Sequence, residues 1–140
     1  MAPWVMFGDA ELVAITYLRD VLGDAVAHVC SELPGPDEMA ALLPLVQVER
    51  LPSPPMANRY ALDVARMDIS ARVATGRPDA ITLATLAGAH IRAMPGRTIA
   101  GVTVSTVRRQ TGPEERADEN TNLRVAGFTC ELYLRSIPQT

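Results

Sequence analysis

YALDVARMDISARVA, residues 60–74, alternates apolar and polar side chains with a period of two. Asp63 aside, Ala65, Met67, Ile69, Ala71 and Val73 fall on one side, and Arg66, Asp68, Ser70 and Arg72 on the other. Successive side chains of a strand point to opposite faces, so the stretch predicts one long strand with an apolar core face and a charged face. The charged face meets either solvent or a partner.

The flanking segments supply what such a strand needs to pair with and pack against. Upstream, LVQVERL (45–51) predicts a strand, closed by Pro52-Ser53-Pro54-Pro55, a cluster too poor in N–H donors for a sheet interior and therefore a stiff surface loop over 52–58. Residues 25–33, with Val26, Val29 and Cys30, predict a further strand, which Pro34-Gly35-Pro36 breaks. Asp37 caps a short helical turn ending before Pro44. Downstream, Pro78 suits a helix first turn, and Ala80, Ala84, Ala87, Ile91 and Met94 recur at helical spacing until Pro95-Gly96. The small residues of that stripe let the helix lie close to a sheet. Residues 99–109 predict a fourth strand with Val102 and Val104 inward. TGPEERADENT (111–121) reads as a polar, acidic loop. Residues 122–137 predict a fifth strand burying Ala126, Phe128, Cys130, Leu132 and Leu134; Arg124 falls out of phase, which places a bulge or a late strand start near Gly127.

At the N-terminal end, Asp9 is an N-cap for a helix over 10–22, with Glu11 in its first turn and Gly23 as its stop. Leu12, Ile15, Leu18 and Leu22 form its stripe, backed by Val13, Tyr17 and Val21, so the helix is apolar around much of its circumference. It is either sandwiched inside the fold or partly covered by another chain. The order α-β-β-β-α-β-β specifies one α+β domain over 1–140: a mainly antiparallel sheet of about five strands with two main helices packed on it.

Composition narrows the function classes. With 48% hydrophobic and 21% charged residues the chain has ordinary globular usage, and no run approaches a membrane span. The apolar start MAPWVMF lacks a basic segment and does not read as a signal peptide. Net charge is −3, against a general nucleic-acid binder. All 13 basic residues are arginine, which points to a GC-rich genome and supplies planar forks suited to ordered contacts. Two distant cysteines, Cys30 and Cys130, predict buried free thiols and assembly in a reducing cytoplasm.

The search for chemistry finds little. His28 and Cys30 share a strand face, but a zinc site would need all four of His28, Cys30, His90 and Cys130 to converge. Neither cysteine lies in a context that lowers its pKa, so a thiol dyad with His90 is disfavoured. Glu114 with Glu115 and Asp118 with Glu119 sit in a hydrophilic loop, where both members of a pair would be ionised and hydrated. Gly96 and Gly101 have no Lys-Ser/Thr after them, so no phosphate loop is present. What remains is the row Arg66, Asp68, Ser70, Arg72 with Arg108 and Arg109: a solvated sheet face, or a charged seam between subunits. The 111–121 loop is likewise a mobile tip or a docking arm.

The chain resembles the tail terminator (tail completion) proteins of long-tailed phages, especially those of high-GC actinobacteria. The likeness runs through Asp9-Ala10-Glu11-Leu12-Val13 to Tyr17-Leu18-Arg19, Glu32-Leu33-Pro34, Leu43-Pro44-Leu45-Val46-Gln47-Val48, Asp68-Ile69-Ser70-Ala71, Met94-Pro95-Gly96, and Gly112-Pro113 to Leu132-Tyr133-Leu134-Arg135. It is one of order and texture over nearly the whole chain. It implies a non-enzymatic virion subunit without cofactors, forming a ring, usually six-fold, at the tail–neck junction. Its partners would be copies of itself, the tail tube protein and a neck protein; DNA passes through the ring, and neither a membrane nor a specific nucleic-acid sequence is bound. On that expectation the contact residues are Arg66, Asp68, Arg72, Arg108, Pro113, Glu114, Glu115, Arg116, Asp118 and Glu119. Another neck component, such as a stopper, and a small-molecule-binding α+β domain are the rival readings.

Overall fold

The computed structural model describes residues 5–52 and 62–137. The alternating stretch forms a long strand, β3 (Leu62–Val73), near the middle of a sheet that has seven strands among the described residues. The others are β1 (His28–Cys30), β2 (Leu45–Leu51), β4 (Thr98–Ile99), β5 (Val102–Arg108), β6 (Glu114–Arg116) and β7 (Arg124–Arg135). They lie in the order β1-β2-β3-β7-β5-β4, with β6 beside β7. The helices are α1 (Ala10–Leu22), α2 (Pro36–Met39) and α3 (Arg77–Arg92). The fold is α+β, as the element pattern requires. Tyr60, Ala61 and all of the 52–58 loop but Pro52 lie outside the described residues.

Helices α1 and α3 share one face of the sheet, α3 over β3 and β7, α1 over β1 and β2 and against α3. The core between them takes Ala65, Met67, Ile69, Ala71 and Val73 from β3 and Ala126, Phe128, Cys130, Leu132 and Leu134 from β7, the two rows that alternation assigns inward. Ala80, Ala84, Ala87 and Ile91 of α3, with Met94 just beyond it, close the layer from above. The small residues let the helix lie close: a Cβ on Gly88 would stand in ordinary van der Waals contact with Phe128 Cε1 at 3.7 Å and would meet Gln110 Nε2 at 3.1 Å. No described helix is long and apolar enough to cross a membrane.

Asp9 caps α1, its Oδ1 accepting from the Glu11 and Leu12 amides at 2.9 and 3.2 Å. Gly23 ends the helix at φ +50°, a conformation glycine adopts without strain. Replacing Asp9 with alanine is expected to cost about 1 kcal/mol, read as a lower urea midpoint at unchanged slope. Within α1, Ala10, Val13, Ala14, Tyr17, Leu18 and Leu22 are buried while Leu12 is half exposed, so the helix is covered on one broad side rather than sandwiched.

Four expectations are corrected. First, the strand expected over 25–33 is only three residues, β1, and pairs parallel with β2; the other pairings among the described residues are antiparallel, so the sheet is mainly antiparallel as expected. The chain between β1 and β2, through α2 and a 3-10 turn, is long enough to return to the starting end, as a parallel crossover requires. Second, the strand expected over 99–109 is a hairpin, turning at Ala100-Gly101 with φ of +50° and +79°. Positive φ at both central residues matches the twist of a two-residue hairpin. Third, the 111–121 segment is not a free loop, since Glu114–Arg116 pair with Val125–Gly127 of β7. Fourth, β7 runs unbroken past Gly127 from Arg124, and the irregularity falls opposite it, in β5 between Val104 and Thr106.

Candidate functional site

Arg50–Asp63 lies on the helix side of the sheet, and the face turned away from α1 and α3 carries the ion pairs Arg72–Asp118 and Arg116–Asp68. Its rows follow from the register. On β3 stand Arg66, Asp68, Ser70 and Arg72; opposite them on β7 stand Glu131, Thr129, Gly127 and Val125; and on β2 stand Leu51, Glu49, Gln47 and Leu45. The sequence reading treats this face as uniformly open. The structure divides it in two.

One half is closed by the chain itself. After β5 the backbone leaves the strand at Arg109, whose φ is +50°, and rejoins β7 two residues later. The Thr111 amide donates to the Thr129 carbonyl, and the Thr129 amide donates to Thr111 Oγ1, both at 2.9 Å. From β6, Arg116 reaches across β7. Its Nη1 lies 2.8 Å from Asp68 Oδ1 and donates a hydrogen bond at 3.0 Å to Oδ2, so Oδ1 has the charge contact without an aligned donor. Arg72 Nε donates to Asp118 at 3.1 Å, and its Nη1 donates to Gln47 Oε1 at 2.8 Å and to Ser70 Oγ at 3.3 Å. Gln47 Nε2 in turn donates to the Ser31 carbonyl. Gly127 makes the crossing possible: a Cβ there would lie 2.8 Å from Arg116 Cζ and from the Ile69 carbonyl oxygen. Asp68, Arg72, Arg116 and Asp118, read as a seam toward other subunits, are thus first bound to one another. Glu115 pairs with Arg77 at the start of α3, and Glu114 lies 3.7 Å from Arg116.

The other half stays open. Arg66 and Arg108 are exposed, as are Glu49 and Arg109, and Pro113, Glu114 and Glu119 project from the neighbouring segment. Arg109 lies 3.5 Å from Glu131, and Arg108 stacks over the Tyr133 ring at 5.8 Å. Arg66, Arg109, Thr111, Thr129 and Glu131 surround a cleft of about 370 Å³ on this side. Its walls are charged and hydroxylic, and its one cysteine, Cys130, belongs to the core row.

The cysteines and histidines do not converge. Cys30 pairs with Gln47, which pairs with outer-face Ser70, whereas Cys130 pairs with inner-face Met67. Side chains at paired positions share a face, so the two thiols lie on opposite sides of the sheet. Among the described residues no three His, Cys, Asp or Glu side chains form a group that could hold a metal ion. Burial pushes the Cys130 thiol up to about 12, Glu131 and Asp68 adding to the shift, and burial also raises Cys30 against the pull of Arg72 and Arg19. The thiolate is the reactive form, so a raised pKa holds both residues protonated at neutral and mildly alkaline pH. We expect Ellman's reagent at about pH 8 to label neither cysteine quickly in the folded protein and both at once in urea. Rapid labelling of Cys130 in the native state would contradict this environment.

Sequence reasoning missed Gln47 and Gly127 as parts of the outer face. Both were visible: Gln47 is the polar interruption of an apolar strand, and a glycine inside a strand marks close approach of other groups.

No family model matches the sequence, and no curated protein matches it. Among solved structures, a chain from the virion of a native gene transfer agent particle shares the fold, with a TM-score of 0.58 and 17% sequence identity. The match covers 90% of this chain and 94% of that one.

Proposed function

We propose that this chain is a structural virion subunit of a phage-like particle: a ring-forming tail terminator that caps the head-proximal end of the tail tube, ends tube polymerisation and joins tail to neck. The observation that carries the reading is the near full-length fold likeness to a virion chain, which agrees with the independent resemblance in sequence. A domain matched from end to end, with few residues left over on either side, has the same elements available for the same kind of assembly.

The outer face supports the reading physically. A terminator needs head-to-tail contacts that close and two unlike axial surfaces, one that accepts tube and one that rejects it. Here one half of a sheet face is locked by internal ion pairs into a fixed relief, and the other half leaves Arg66, Arg108, Glu114 and Glu119 outward. We assign the tube or neck contact to that open half, with no substrate, cofactor or membrane involved. The site of action is the tail–neck junction of the virion, after assembly in the host cytoplasm.

Mass measurement on the purified chain with and without tail tubes tests this. The expected result is a species of about six times the 15.1 kDa chain mass, free or on tube ends. A chain that never binds tubes, or one that binds only the head vertex, overturns the terminator role; the second result identifies a neck component instead.

A further inference from the structure

The sheet ends in two edges of opposite charge. Residues 5–51, to the end of β2, contain eight carboxylates and two arginines, Arg19 and Arg50, whereas residues 77–109 contain five arginines and one carboxylate, Asp79. The topology carries this imbalance into space. The first segment builds β1, α2 and β2 at one edge, and the second builds β4 and β5 at the other. At the first edge Glu32, Asp37, Glu38 and Glu49 are exposed, and none stands in an ion pair among the described residues. At the second edge Arg92, Arg97 and Arg108 are exposed, again without a carboxylate within ion-pair distance among the described residues; Arg97 instead stacks on Tyr17 and Arg108 on Tyr133.

This contrasts with the middle of the molecule, where Arg72–Asp118 and Arg116–Asp68 are matched; at the first edge, Arg50 of β2 is already paired with Asp63 of β3. Helix α1 touches β1, β2 and β4 alike, and Asp20 of α1 lines the same cleft as Arg97, yet no ion pair among the described residues joins the two edges. They also present strands, β1 and β4, that have a partner on one side only among the described residues.

We infer that successive copies dock edge to edge, the acidic β1–α2–β2 edge of one copy against the arginine edge at β4–β5 of the next. This rests on the ring reading above and assigns the contact that closes the ring. Opposite edges of one chain meeting is a heterologous contact, which closes or propagates but does not end in a dimer. The bonding groups are carboxylates facing arginine forks, which set register and exclude the like-charged edge.

Two variants test it by native mass spectrometry and sedimentation of the purified chain at low salt. One reverses the acidic edge (Glu32→Arg, Asp37→Arg, Glu38→Arg), and the other reverses the basic edge (Arg92→Glu, Arg108→Glu). All five positions are exposed, so unchanged unfolding midpoints serve as the folding control. The wild type is expected to self-associate, more weakly at about 0.5 M salt, and each variant alone to lose affinity on the order of tenfold or more. Mixed in equal amounts, the two variants recover assembly, since each then meets an edge of opposite sign. Variants that assemble like wild type overturn the edge pairing and leave the ring reading intact. So does a mixture that fails to recover, or a wild type that stays monomeric in concentrated low-salt solution while still forming rings on tubes. A wild type that binds no tube sinks the ring reading itself.

Discussion

Phe128→Ala is expected to destabilise the protein by about 3–5 kcal/mol, a large part of the roughly 5–15 kcal/mol that holds a domain folded. The ring is 1% exposed and sits at the contact of three elements. It projects from β7, stands opposite Ile69 of β3, and faces α3 at Gly88, where an added Cβ would just reach the ring. Truncation removes its transfer free energy and leaves a cavity that neighbours cannot fill, because Gly88 and Ala87 have no side-chain length to spare and Ile69 is fixed in a continuous ladder. For a chain of this size the thermal midpoint should fall by roughly 10–20 °C. A drop of only a degree or two would mean that α3 is not seated on β7 as described.

Gly127→Val is expected to cost about 1–3 kcal/mol through overpacking, and its local signature matters more than its size. The added Cβ would meet the Ile69 carbonyl, which cannot retreat without opening the β3–β7 ladder, and the Arg116 guanidinium, which can leave. Once Arg116 leaves Asp68, β6 loses its main anchor across β7. Trypsin should then cut after Arg116 much faster than in wild type, under conditions where the core remains folded. Uniform loss of stability without faster cleavage there would show that the 111–121 segment is held by something other than this crossing.

The sequence's strongest periodicities carried over because burial enforced them. β2, β3, β7, α1 and α3 each have long apolar rows, and the sheet has one covered face to receive them. The short elements had no such signal. β6 is Glu-Glu-Arg, a strand only because β7 offers it an edge, and nothing in three charged residues announces that. Ala100 at positive φ is not a residue from which a turn is read, so β4 and β5 looked like one strand. β1 is too short to disclose whether it runs parallel or antiparallel to its neighbour. The candidate site was half legible for the same reason. Alternation placed Arg66, Asp68, Ser70 and Arg72 on one face, but their internal partners Arg116 and Asp118 lay in a stretch whose polarity reads as solvent-facing. The charge difference between the two sheet edges was present in the residue order all along, yet it acquires meaning only once β1 and β4 are known to lie at opposite ends.

Electron microscopy of intact particles carrying a small tag on this chain tests the central claim most directly. The account predicts a single ring of tagged copies where tail tube meets neck, and tubes of uncontrolled length, unjoined to heads, when the chain is absent. Tag density along the whole tube, on the capsid or nowhere in the particle would contradict it.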